Sequence, residues 1–281
     1  MSATPPRRIL VATDLSAQAG KAVQRAGQLG AQHNARVTAL HVLPEGLNPE
    51  LVEVARACLR AHLDQYSTAT VAEAAVRHGN VARAVDAEAV EHRADLLVVG
   101  AHGTHRLAGA FLGSTPADLV RVSQAPVLVV REPPEDAYRT VALAVDTSCV
   151  SAMAARTACA LTPRADHILV HVSVVIGEIL MRMRGAGDEQ LAQLRKVSTE
   201  EVRGHIMKLA TELAPAATRV VIETGRPQTL LPQLCHRHAA DLVAVGTGGH
   251  SRLGYALLGS VAQHVLRYAH SDVLVVPARK G

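Results

Sequence analysis

Two stretches of the sequence share one spacing of glycine and serine. In each, two glycines separated by two residues are followed, after nine more residues, by a Gly-Ser pair; the stretches run from Gly100 to Ser114 and from Gly246 to Ser260. Glycine lets a backbone turn with positive φ and brings bare N–H groups close to an anion. The spacing therefore predicts two phosphate-binding loops.

A segment of helical periodicity follows each Gly-Ser pair. A helix that begins there directs its unpaired N–H groups and the positive end of its dipole toward the same anion. We expect Ser114 and Ser260 to cap that helix or to donate to a phosphate oxygen. Arg106 and Arg252, three residues beyond the second glycine, suit either phosphate contact or solvent exposure. The competing interpretation is that the glycines only make tight turns and the serines are plain caps.

Both stretches belong to a longer internal repeat. The offset between the halves is 130 residues at Val42 and Val172 and 146 at Gly79 and Gly225. The second half therefore carries an insertion of 16 residues, expected around residues 181–208.

Short apolar runs alternate with helical stretches in both halves. Continuous apolar strands separated by helices are typical of a parallel sheet buried on both faces, so each half is predicted to be a doubly wound α/β domain. A polar segment with a proline pair, residues 131–139, predicts an exposed linker between domains at 1–133 and 138–281. The predicted strands are Ile9–Ala12, Arg36–Val42, Ala72–Val76, Leu96–Val99, Val127–Val130, Val141–Val145, His167–Val172, Arg219–Glu223, Leu242–Val245 and Val273–Val276.

The composition narrows the function class. Aromatic residues make up 2% of the chain and Trp is absent, which disfavours base stacking. The net charge of +4 comes from scattered residues, so no nucleic-acid partner is expected. No apolar run predicts a membrane span or an export signal, and four cysteines without metal or redox spacing are expected to be reduced core residues. These features predict a cytoplasmic protein.

Signatures of dedicated catalysts are missing from the sequence: the nucleophile elbow, the zinc-protease helix, the Walker loop and the dinucleotide fingerprint. The densest Cys/His group, residues 235–238, is interpreted as a polar helix face rather than a metal site. His41 and His171 are interpreted as structural residues near the loops. We therefore expect no catalytic residue and no protein-bound metal.

The order of elements, the Asp after strand one, the His-Val pair on strand two and the Gly/Ser loops resemble the ATP-binding branch of the universal stress protein family, twice along the chain. The resemblance implies in each half a Rossmann-like, five-stranded parallel sheet of order 3-2-1-4-5, similar to adenine nucleotide alpha hydrolases, with ATP and its Mg²⁺ at the carboxyl edge. Carried over, the first site uses Asp14, Val42, Gly100, Gly103, Gly113, Ser114 and Thr115. The second site uses Asp146, Val172, Gly246, Gly249, Gly259, Ser260 and Val261.

Two departures from the family pattern predict unequal sites: Gly248 where His102 stands in the first half, and the insertion after Val172, which is placed to reach over the second pocket. A third departure, Pro116 in the first helical turn, is expected to be tolerated because it loses no intrahelical hydrogen bond there. The resemblance implies a regulatory or stress-tolerance ATP-binding protein whose fifth strands pair within the chain. A homodimer of the chain stays open, and no protein partner is predicted. Two alternatives also stay open: a slow ATPase or adenylyl-transfer enzyme, and a nucleotide-free interaction scaffold.

Overall fold

The computed structural model describes residues 3–66, 73–103, 113–175, 177–248 and 258–278. The first half contains β1 (Arg8–Ala12), α1 (Ala17–His33), β2 (Arg36–Leu43), α2 (Pro49–Tyr66), β3 (Glu73–His78), α3 (Val81–Glu91), β4 (Leu96–Gly100), α4 (Ser114–Val122) and β5 (Val127–Val130). The second half contains β6 (Thr140–Ala144), α5 (Cys149–Leu161), β7 (Asp166–Ser173), α6 (Glu178–Met183), α7 (Asp188–Glu212), β8 (Arg219–Thr224), α8 (Pro227–Arg237), β9 (Leu242–Gly246), α9 (Ser260–Tyr268) and β10 (Asp272–Val276).

The described strands form one sheet of order β3-β2-β1-β4-β5-β10-β9-β6-β7-β8. Pairing is parallel within each half, and each half has the predicted order 3-2-1-4-5. The predicted fold class is therefore confirmed.

The strand bounds agree with prediction to within one residue, except at the outer edge of the first half. The sequence predicts β3 at Ala72–Val76, of which Ala72 lies outside the described residues; the structure has β3 at Glu73–His78, so the strand ends two residues later than predicted. Its register explains the shift: β2 continues to Leu43, which pairs with His78, so pairing extends β3 beyond its apolar run. Backbone hydrogen bonding rather than hydrophobicity sets where this edge strand ends.

The two fifth strands join the domains. β5 and β10 pair antiparallel, with Leu128 opposite Leu274, which confirms the predicted pairing within the chain. Successive residues of these strands belong to two buried clusters, one on each face of the sheet, and both clusters extend through both halves. Without this pairing, the sheet of each half would end in a buried strand with unpaired backbone N–H and C=O groups. The pairing of β5 with β10 provides hydrogen-bond partners for both edge strands.

Four charged and aromatic side chains, called here the interdomain cluster, reinforce this joint: Arg25, Arg131, Tyr138 and Asp272. The Tyr138 hydroxyl donates to Asp272 Oδ2 at 2.6 Å, and the Arg131 backbone N–H donates to Asp272 Oδ1 at 2.7 Å. Arg25 lies 4.0 Å above the Tyr138 ring and 3.6 Å from the carboxylate. The prediction of an exposed linker is therefore wrong at Tyr138, which is buried because it packs between Arg25 and Asp272.

The insertion lies where the repeat offsets place it. In the second half, the crossover between the second and third strands contains the short helix α6 and the 25-residue helix α7. The same crossover in the first half contains only the 18-residue helix α2. Glu178 of α6 accepts hydrogen bonds from Arg182 and from Arg195 of α7, which ties the two helices together. Hydrogen bonds from Arg195 and Arg182 lower the pKa of the half-buried Glu178 carboxyl, so this carboxyl is ionised at neutral pH.

All four cysteines are free, and two of them are not core residues. Cys159 and Cys235 are buried as expected, whereas Cys58 and Cys149 are exposed. The expectation of core packing fails for those two because both lie on outward faces of helices. In the described part of the chain, no helix is long and apolar enough to cross a membrane.

Candidate functional site

A cavity lies at the carboxyl edge of the sheet in each domain. In the first domain the ends of β1, β2 and β4 contribute to a cavity of about 290 Å³. In the second domain the ends of β6, β7 and β9 contribute to one of about 800 Å³. Both lie where the strand order changes direction, which is where open α/β sheets bind ligands.

The structure brings together most of the residues expected at each site. The first cavity is lined by Asp14, Val42, Gly100, Gly103, Gly113, Ser114 and Thr115. The second cavity is lined by Asp146, Val172, Gly246, Gly259, Ser260 and Val261. Three further predicted residues, Arg106, Gly249 and Arg252, lie outside the described residues.

Glycines occur in these loops for a different reason from the one expected. None of the predicted site glycines that the structure describes has a positive φ; Gly113 has φ −71° and Gly259 −59°. What requires glycine is close approach. A Cβ on Gly103 would lie 2.7 Å from Asp14 Oδ2, and one on Gly246 would lie 2.9 Å from Val150 Cγ1. Such contacts exclude any side chain at these positions without movement of a neighbour.

The serines after the glycines are not caps. Gly113 and Gly259 hold the N-cap positions of α4 and α9, and Ser114 and Ser260 are the first helical residues. Neither helix has a side-chain capping hydrogen bond. Because a glycine N-cap has no side chain to accept from the first turn, the N–H groups of that turn are available to a ligand.

Pro116 makes the two helix starts unequal. It is the third residue of α4 and has no N–H, whereas Ala262 at the same position of α9 has one. The first turn of α4 therefore offers the N–H groups of Ser114 and Thr115, and that of α9 offers those of Ser260, Val261 and Ala262. An anion has more donors in the second domain.

The two aspartates are oriented by the turn that leads into the next helix. Asp14 Oδ1 accepts from the Ser16 N–H at 3.1 Å, and Asp146 Oδ1 accepts from the Ser148 N–H at 2.8 Å. Ser16 and Ser148 in turn cap α1 and α5. In the first domain Leu15 completes the turn with φ 66°, a left-handed conformation that is costly for leucine. Both carboxylates are thus held at their cavities.

Histidines support this edge from behind. His41 Nδ1 and the Thr13 carbonyl lie 2.8 Å apart, as do His171 Nδ1 and the Val145 carbonyl, so each ring fixes the end of the preceding strand. His62 of α2 makes a 3.1 Å hydrogen bond with Thr13 Oγ1 in the first domain. Burial lowers the pKa of His62, and the negative charge of Asp14 only partly opposes this effect. The His62 ring is therefore neutral at neutral pH. These contacts support structural roles for the three rings.

The electrostatics of the described cavity walls are set by carboxylates and helix termini. No lysine or arginine is among the described lining residues of either cavity. A phosphate here would be held by N–H groups, by the helix dipole and by a cation that Asp14 or Asp146 attracts. That combination suits a metal-bound phosphate ester better than a free carboxylate.

One acidic cluster away from the cavities has metal-ligand chemistry: Glu88, Glu91 and His92. Arg77 already donates to Glu88 at 2.5 Å and lies 3.4 Å from Glu91. The cluster therefore contains its own countercharge, which explains how Glu88 is buried.

Comparison with known proteins gives the family. The sequence pattern of the universal stress protein family matches residues 6–131 and again residues 137–277. The chain belongs to this family. Its two universal stress protein domains follow one another with a short linker between the matched segments.

Relatives match either one domain or the whole tandem. A universal stress protein of Staphylococcus aureus strain USA300 is 29% identical over 140 residues, which is 50% of this chain and 84% of that protein. A solved universal stress protein from Pseudomonas aeruginosa covers 98% of this chain and 94% of its own at 18% identity, with a TM-score of 0.68. A solved universal stress protein from Archaeoglobus fulgidus covers 98% of this chain and 99% of its own at 16% identity, with a TM-score of 0.63. The solved structures show that the tandem fold is shared.

The two universal stress protein domains of this chain differ at their cavities. Ser151 of the second cavity donates to Asp146 Oδ1 at 2.7 Å, where the first cavity has the apolar Ala19. His102 lines the first cavity and Gly248 the second. Sequence reasoning identified the histidine difference but missed Ser151, whose offset from Ala19 equals that between Asp146 and Asp14 and could have revealed it.

Proposed function

We propose that each domain binds ATP, with Mg²⁺ on the phosphates, and that the chain acts as a nucleotide-responsive regulatory protein. The observation that carries the proposal is the start of α4 and of α9: in both domains a glycine N-cap leaves first-turn N–H groups available at a cavity that also holds an oriented aspartate. Helix starts of this kind favour phosphate.

The remaining walls suit the adenosine part. Leu40, Val42 and Val85 provide apolar surface in the first cavity, and Val172 and Leu231 do so in the second. Apolar walls with a few placed polar groups are the usual composition of small-molecule sites. Asp14 and Asp146 would hold the ribose hydroxyls or the phosphate-bound cation.

The topology supports a regulatory role because the helices proposed to contact phosphate lead directly into the joint between domains. α4 is followed by β5, and α9 by β10, and these strands pair with each other. Arg131, directly after β5, also donates to the Leu266 carbonyl near the end of α9. If the joint has two conformations, a ligand that binds one of them more tightly would increase the population of that conformation.

The test is isothermal titration with Mg-ATP on the full chain and on Ser114→Asp and Ser260→Asp. An added carboxylate at a helix start stabilises the helix but repels a phosphate, so each variant should fold and lose at least about tenfold in affinity at its own site. Gly187→Asp is the matched control, since it adds the same charge at the exposed start of α7, outside both cavities.

Product analysis in the same samples separates binding from catalysis. ATP that is recovered intact after hours supports a regulatory ligand. Steady release of ADP or AMP that both serine variants abolish would instead make the chain an enzyme. Absence of ATP binding, with unchanged behaviour of the variants, would contradict the proposal and favour the nucleotide-free scaffold.

A further inference from the structure

The second cavity is larger than the first because the inserted crossover lines it. Pockets for small molecules span roughly 300–1,000 Å³. The first cavity, at about 290 Å³, lies just below this range, and the second, at about 800 Å³, has room for a bulkier ligand. The extra wall comes from α7, which contributes residues to the second cavity, whereas no described residue of α2 lines the first.

A stripe of residues along α7 changes from buried to uncovered where the helix passes the cavity. Leu191 and Ile206, which flank that part, are 2% and 0% exposed. Between them Leu194, Ser198 and Val202 continue the same helical face, yet they are only half-buried and line the cavity. The stripe therefore packs at both ends and presents its middle to the cavity.

The surroundings of this stripe are also apolar. Val197 of α7 is 56% exposed and Val174, after β7, is 60% exposed; both line the cavity. Uncovered aliphatic side chains at a cavity wall are stabilised when a ligand removes them from water. One end of this cavity thus has phosphate-binding chemistry at α9, and another has an aliphatic wall at α7.

We propose that the second domain binds an adenine nucleotide that carries an apolar acyl chain, such as an acyl adenylate. Its phosphate would lie at the start of α9 and its acyl chain against Leu194, Val197 and Val202. The inference rests on the proposed function, because the nucleotide part uses the same phosphate site. It assigns a different ligand preference to the second domain, since the first cavity has no counterpart of the α7 wall among its described residues.

The test uses hydrolysis-resistant probes: decanoylsulfamoyl adenosine, acetylsulfamoyl adenosine and decanoate alone, each titrated into the full chain beside Mg-ATP. We expect the decanoyl probe to bind at least about tenfold more tightly than the acetyl probe. Val197→Lys should remove this advantage. Val54→Lys is the matched control, because Val54 lies on α2, is also 56% exposed and lines neither cavity.

The outcomes separate this inference from the proposed function. Equal affinity for the decanoyl and acetyl probes while ATP binds would overturn this inference alone. The same holds if decanoate alone binds as tightly as the decanoyl probe, or if the two lysine variants behave alike. Failure of ATP to bind either domain would overturn the proposed function, and this inference with it.

Discussion

Removing one oxygen atom from the interdomain cluster should measure how much the buried hydrogen bond between Tyr138 and Asp272 contributes to the stability of the chain. Tyr138→Phe deletes the hydroxyl that donates to Asp272 Oδ2 at 2.6 Å and keeps the ring beneath Arg25. The carboxylate is buried, and burial raises the pKa of Asp272 against the opposing hydrogen bonds from Tyr138 and Arg131. The variant therefore leaves a buried acceptor with one donor fewer.

The expected cost follows from the partners that remain. Asp272 keeps the Arg131 N–H at 2.7 Å and Arg25 at 3.6 Å, so it is not left without a donor. A hydrogen bond to a charged group contributes about 1.5–3 kcal/mol, and we expect the free energy of unfolding to fall by about 2 kcal/mol. Ring packing and the cation–π contact with Arg25 should not change.

Urea unfolding monitored by circular dichroism measures this difference directly. Tyr66→Phe serves as the control because the Tyr66 ring packs against His62, 4.8 Å between ring centroids, and its hydroxyl makes no hydrogen bond to a described residue. The cost of this control should stay within about 0.5 kcal/mol. A loss below about 0.5 kcal/mol for Tyr138→Phe, or equal losses in both variants, would refute the argument that this hydroxyl stabilises the interdomain cluster.

Three further predictions concern pH, thiols and helix α7. Burial lowers the pKa of His62 below 6.5, so the unfolded chain binds the proton more readily, and the free energy of unfolding should fall as pH drops below about 6.5. Urea titrations at pH 7.5 and 5.5 should show a smaller loss for His62→Gln; an equal loss would contradict this. Burial raises the pKa of the Cys159 and Cys235 thiols to about 12, whereas Cys58 and Cys149 are exposed. Iodoacetamide at pH 8 should therefore label only Cys58 and Cys149 in the native chain and all four cysteines in urea. Gly204→Ala should raise the free energy of unfolding by about 0.5–1 kcal/mol, because Gly204 is an exposed position of α7 where a new Cβ meets no atom within 4 Å. A variant whose thermal unfolding midpoint lies below that of the unmodified chain would argue against this prediction.

Much of the fold could be predicted because periodicity and internal repetition act together. The constant offset between the glycine loops indicated which strands correspond, and the change in offset located the insertion, which adds α6 and makes α7 longer than its counterpart α2. The end of β3 was predicted two residues too early because it is set by pairing with β2, and that pairing leaves no signal in the sequence of β3 itself.

The sequence predicted which loop residues lie together at the cavities, but not the physical reason why glycine is needed there. The described loop residues do meet at the cavities, yet Gly103 and Gly246 are required by close approach to Asp14 and Val150 rather than by positive φ. Such approach depends on tertiary packing and cannot be read from spacing. The same holds for Tyr138, whose burial depends on Arg25 and Asp272; both residues lie more than a hundred positions away from Tyr138 in the sequence.

Native mass spectrometry of the full chain with Mg-ATP tests the central claim most directly. The proposal predicts two ATP molecules per chain at saturation, with the second domain filling first because α9 offers one more N–H donor than α4. Ser260→Asp should leave one ATP bound at concentrations that fill the first domain, and Gly187→Asp should leave two. A chain that binds no ATP, or a Ser260→Asp variant that still binds two with unchanged affinity, would contradict the account.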